Sequence, residues 1–139
     1  MSHVDWIQTE FFAGYPFGYY KLRFLSDGAV EYACDGEDLQ YTLPNGHCWV
    51  ASKRVFQNLE KVILNRSWEQ ESDPRLDASI VCDGWMDTLT WSIEGVTEVQ
   101  SFVIGEGPTS LLKVMDRIRR LAKDEEQKLH SACPQFLKN

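Results

Sequence analysis

What most limits the fold of this chain is its punctuation. Short glycine turns interrupt runs in which apolar and polar residues alternate. "SDG" (26–28) separates "YKLRFL" (20–25) from "AVEYA" (29–33). "PNG" (44–46) separates "LQYTL" (39–43) from "HCWVA" (47–51), and "CDG" (82–84) and "EG" (94–95) break up "ASIVC" (78–82), "MDTLTWSI" (86–93) and "TEVQSFVIG" (97–105). Asp-Gly and Asn-Gly tolerate the positive φ of tight hairpin turns, and a period of two places alternate side chains on opposite faces of a sheet. Such spacing predicts antiparallel hairpins.

Twice the period changes to that of a helix. In residues 52–65, Val55, Phe56, Leu59, Val62 and Ile63 make one apolar stripe, with Ser52 as N-cap. In residues 109–129 the stripe is Leu111, Leu112, Met115, Ile118, Leu121 and Ala122, capped by Thr109 or Ser110. An offset of 56 sets the first stripe on the second, which suggests two similar halves. The expected fold class is α+β. A single domain, 1–139, carries an antiparallel sheet built from two strand-rich halves, 19–65 and 78–129. Each half ends in an amphipathic helix, 52–65 or 109–129, packed on one face. Residues 66–77 form an acidic connection and 130–139 a tail.

The N-terminal segment, 1–18, is rich in aromatics. Trp6, Phe11, Phe12, Tyr15 and Phe17 lie in it, with Tyr19 and Tyr20 just beyond. Residues 3–12 are compatible with a short helix carrying Trp6, Ile7 and Phe11 on one side, and 13–20 with a loop. This segment either folds over the sheet to complete the core or offers an exposed aromatic patch of the kind found at binding hot spots.

Cys-Asp-Gly occurs at 34–36 and again at 82–84, which raises the question of a repeated site. Cys34, His47, Cys48 and Cys82 include zinc-ligand types without the usual close spacing. Neither triplet has the ligand pattern of a calcium loop. The turn explains Asp-Gly without any ion, so no metal and no cofactor is expected. "GEGPTS" (105–110) lacks the Lys of a phosphate-binding loop. An enzyme could use His47 with Glu31, Asp35 or Asp38 as acid and base. All four cysteines are expected to be reduced, and the default for each is burial as a small hydrophobe.

The net charge is −7, which argues against nucleic acid and anionic membrane surfaces as partners. No apolar run is long enough to span a membrane and the N-terminus has no leader pattern, so a cytoplasmic location is expected. Residues 113–128 hold six cations against four acids, leaving −9 for the rest of the chain. The acids Asp35, Glu37, Asp38, Glu69, Glu71, Asp73, Asp77, Asp83 and Asp87 read as crowded into turns and the central loop.

These features support a non-catalytic, acidic protein-binding domain that neutralises or shields a basic partner, as immunity and inhibitor proteins do. Its candidate binding residues are Tyr15, Phe17, Tyr19, Glu69, Glu71, Asp73 and Asp77, with no catalytic residue assigned. The order helix, strands, helix, strands, helix in a small acidic chain also resembles the type III secretion chaperones. That resemblance rests on topology and charge, carries over no residues, and implies a dimeric effector chaperone. A third expectation is a small-molecule-binding protein or enzyme with a pocket under the aromatic segment.

Overall fold

The computed structural model describes residues 2–12, 18–35, 41–71, 86–103 and 107–132. Six antiparallel strands form one sheet: β1 (Val4–Phe12), β2 (Tyr19–Leu25), β3 (Ala29–Asp35), β4 (Cys48–Val50), β5 (Met86–Ile93) and β6 (Val96–Val103). Their order across the sheet is β4-β3-β2-β1-β5-β6. Two helices complete an α+β fold, α1 (Lys53–Asn65) and α2 (Thr109–Ala132), and a 3-10 turn covers Ser67–Glu71.

The helix expected over residues 3–12 is in fact β1, a central strand. Ile7 pairs with Phe24 on one side and Trp91 on the other, and Thr9 pairs with Leu22 and Leu89. Trp6, Ile7 and Phe11 fit one side of a helix, but Ile7, Thr9 and Phe11 also alternate. Val4, Ile7 and Thr9 are β-branched and favour a pleated, buried position. Ready partners on both edges then decide the matter.

The turns differ in kind. At 26–28 the Gly28 N–H donates to the Leu25 carbonyl at 2.9 Å, and Gly28 has φ 94°. Asp27 does not take positive φ, so this is a three-residue loop rather than the expected two-residue type I′ turn. A Cβ on Gly28 would lie 2.7 Å from the backbone N of Lys53, so the tight packing of this turn on the start of α1 requires glycine. The type I′ geometry appears instead at Glu94 (φ 49°) and Gly95 (φ 84°), between the paired residues Ile93 and Val96.

One expected hairpin does not form as read. Asn45 and Gly46 do make a turn, with the His47 N–H donating to the Pro44 carbonyl at 3.1 Å. Tyr41–Leu43 before it, however, are not strand. β4 pairs with β3 instead, and Tyr41 and Leu43 drop into the core. Residues 78–85 lie outside the described residues. The described strand β5 has β1 on one edge and β6 on the other.

Ser52 caps α1 as expected, its Oγ accepting from the Val55 N–H at 3.1 Å, and Arg66 closes the helix in the left-handed region. Register places Ile7, Phe11, Tyr20, Leu22, Phe24, Val30, Tyr32, Leu89 and Trp91 on one face of the sheet. Phe56 of α1 meets Phe24 there edge-on at 5.2 Å, and Trp68 of the 3-10 turn meets Trp91 at 5.3 Å. Leu111, Met115 and Ile118 of α2 are fully buried in the same core.

Candidate functional site

Asp87 sits within β5, not in a turn as its sequence position suggested. It shares a face with Leu89 and Trp91 and is 3% exposed. Arg119 of α2 reaches down and donates from Nη2 to its Oδ1. The Tyr20 hydroxyl engages Arg119 and Tyr41, and Asp116 lies 3.9 Å from the Arg119 Nη1. The Arg119 Nε is sequestered from solvent and has no acceptor among the described residues.

This pair floors a cleft of about 760 Å³ between α2 and the sheet. Phe11, Tyr20 and Tyr41 make its aromatic side. Phe11 stacks on Tyr20 at 5.5 Å, and Tyr20 meets Tyr41 edge-on at 5.0 Å. Asp116, Arg120, Lys123, Asp124 and Gln127 line the helix side. With Arg119 they recur at helical spacing, so one stripe of α2 faces the cleft while the neighbouring apolar stripe enters the core.

Burial dominates the electrostatics. It pushes the Asp87 carboxyl above the usual carboxylate range, against the pull of the Arg119 charge. Burial also pushes the Tyr20 hydroxyl up, with Arg119 opposing. For Arg119, burial favours the neutral form, but Tyr20 and Asp87 outweigh it and hold the guanidinium charged. The arrangement can hold a small molecule with an apolar ring against the aromatics and an anionic group near Arg119.

His47 does not join this cleft. Its Nε2 lies 2.7 Å from Glu125 Oε2, and its ring stacks on Trp49 at 5.5 Å. Glu31 and Asp35, two acids expected beside it, are exposed on the opposite face of β3, and Asp38 lies outside the described residues. Glu126 accepts from the Thr42 N–H at 2.6 Å and the Thr42 hydroxyl at 3.0 Å. Two adjacent acids of α2 thus tie the helix to the 41–49 segment and fix Tyr41 at the cleft. Cys48 is exposed on edge strand β4 rather than buried, whereas Cys34 is half-buried. Cys82 and Cys133 lie outside the described residues.

Of the candidate binding residues, Tyr19 is on the other face of the sheet, donating its hydroxyl to Glu10 at 2.9 Å. Burial and that contact push it up to about 12. Glu69 accepts from Arg66 Nε at 2.6 Å, in the turn on the helical side. The two are therefore not brought together. Glu71 ends the 3-10 turn, and Tyr15, Phe17, Asp73 and Asp77 lie outside the described residues. The cleft was missed, yet Asp87 had a visible signal: its parity with Leu89 and Trp91 aims it inward.

Among the described residues no cluster of His, Cys, Asp or Glu could hold a metal ion, and no helix is long and apolar enough to cross a membrane. The sequence matches no protein-family model, and no curated protein matches it.

Proposed function

We propose that this protein binds a small carboxylate carrying an apolar ring, in the cleft between α2 and the sheet. One observation carries the reading: Arg119 lines the cleft directly beside the aromatic side made by Phe11, Tyr20 and Tyr41. A concave site with apolar walls and a few convergent polar groups is the usual form of a small-molecule site. Arg119, Arg120 and Lys123 set three cations in the lining against Asp87, Asp116 and Asp124, and Phe11, Tyr20 and Tyr41 suit a ring. The test is calorimetric titration with benzoate and phenylpropionate against their amides. The carboxylates should bind and the amides should bind about tenfold more weakly, the size of one charge-assisted hydrogen bond. Arg119→Lys should remove most of that preference. Equal binding of acid and amide, or of neither, sinks the reading.

The net charge of −7 favours a second reading, an acidic domain of the immunity or inhibitor type that neutralises a basic protein in the cytoplasm. Its surface would draw on Tyr15, Phe17, Tyr19, Glu69, Glu71, Asp73 and Asp77. Reversing Glu69, Glu71 and Asp73 to Lys should abolish the salt-dependent capture of a basic partner. Capture that persists unchanged counts against that surface. The same proposal keeps the two-halved build, with each strand-rich half closed by its amphipathic helix on one face of the sheet.

A further inference from the structure

Among the described residues the sheet ends at β4 and at β6, and the two edges are unequal. β4 is three residues long, and a short edge offers little backbone to an incoming strand. β6 is eight residues long and pairs with β5 in continuous register without a bulge. It contains no Lys and no Pro, two residues that commonly protect a sheet edge. Val96 is 67% exposed and Val99 is 56% exposed. Its one charge, Glu98, is held by Arg66 at 2.8 and 3.1 Å. The strand is locally neutral despite the acidic chain.

The sequence of β6 is self-complementary about Val99. Consider two copies of β6 antiparallel, related by a two-fold axis at that residue. Val99 then faces Val99 of the second copy, and Thr97 faces Ser101, on the face of the sheet away from the helices. On the helical face Val96 meets Phe102 and Glu98 meets Gln100. Every opposed pair matches in chemistry: apolar with apolar, hydroxyl with hydroxyl, carboxylate with amide. The neighbouring registers that keep the faces aligned fail. A two-fold at Glu98 opposes two carboxylates, and one at Gln100 sets Glu98 against Phe102. Matched cross-strand pairs stabilise a register and like charges directly opposed destabilise it.

The geometry points to β6 as the contact between two copies of this chain, joined edge to edge into one continuous antiparallel sheet through an isologous interface at Val99. The occupant of this edge is a second copy, because the order of residues in β6 matches itself about Val99.

Sedimentation equilibrium tests the inference. The wild-type chain should show twice the chain mass, with dissociation on dilution. Val99→Lys sets two ammonium groups against each other across the axis and should give the chain mass, with an unchanged circular dichroism spectrum. A wild-type protein at the chain mass throughout overturns the inference. So does a Val99→Lys protein that remains folded and dimeric. If Val99→Lys does not fold, oxidative cross-linking decides. Val99→Cys should form a covalent dimer at least tenfold faster than Thr97→Cys, which does not face itself across the axis. Equal rates overturn the register.

Discussion

Phe24 and Arg23 are neighbours in β2, and the pleat sends them to opposite faces of the sheet. Phe24 is fully buried against Phe56 of α1. Arg23 lies over the Trp6 ring at 4.1 Å and donates from Nε to Gln8 at 2.9 Å. Gln8 in turn donates to Glu10, which accepts from Tyr19. The helical face is held by apolar burial, with the Asp87–Arg119 ion pair set into it. The other face carries a polar ladder across β1 and β2, and Gln8 within it is only 6% exposed. A central strand such as β1 must satisfy both environments, which explains why its sequence reads poorly as either period.

The contrast breaks most readily at the buried aromatic. Phe24→Ala should cost about 3–5 kcal/mol in chemical denaturation, whereas Arg23→Ala, one residue away, should cost about 1 kcal/mol through its lost ring and amide contacts. Equal losses would mean that the ladder face is as tightly packed as the core. The ion pair comes next. Asp87→Ala leaves Arg119 charged and unpaired and should cost about 3 kcal/mol, while Asp87→Ala with Arg119→Met should recover much of it. A double variant no better than the single would place the main role of Asp87 elsewhere.

Titration sharpens the comparison with smaller effects. Tyr19 has its hydroxyl raised to about 12 by burial and its bond to Glu10. A raised group stabilises the fold below its unfolded value and loses that contribution as the pH climbs through the folded one. Tyrosinate absorbance should therefore show a late transition near 12 that Tyr19→Phe removes. Asp5 moves the other way. It accepts from the Gly95 N–H at 2.9 Å and the Ser92 hydroxyl at 2.8 Å, and these bonds lower it below 3.8. Its contribution is present above 3.8 and fades as the pH falls through the lower folded value. Asp5→Asn should flatten the acid limb of the stability curve slightly, and an unaltered limb would remove Asp5 from the account.

Much of the frame was legible in the sequence. Period and turn residues located β2, β3, β5, β6 and both helices, and Ser52 was readable as a cap. Residues 3–12 misled because Trp6, Ile7 and Phe11 fit a helix while Ile7, Thr9 and Phe11 fit a strand, and only partners distant in sequence decide between them. Tyr41 and Leu43 misled because alternation also describes a loop that buries every second residue. The cleft was hidden for a related reason. The polar stripe of α2 looks like a solvated helix face until Asp87, thirty-two residues before Arg119, meets it from the sheet.

β1 comes first in sequence among the described strands and yet lies inside the sheet, where its Val4 pairs with the distant Ile93. One edge of β1 pairs with β2, close in sequence, and the other with β5, far from it. Loss of residues 4–12 would therefore divide the sheet rather than shorten it.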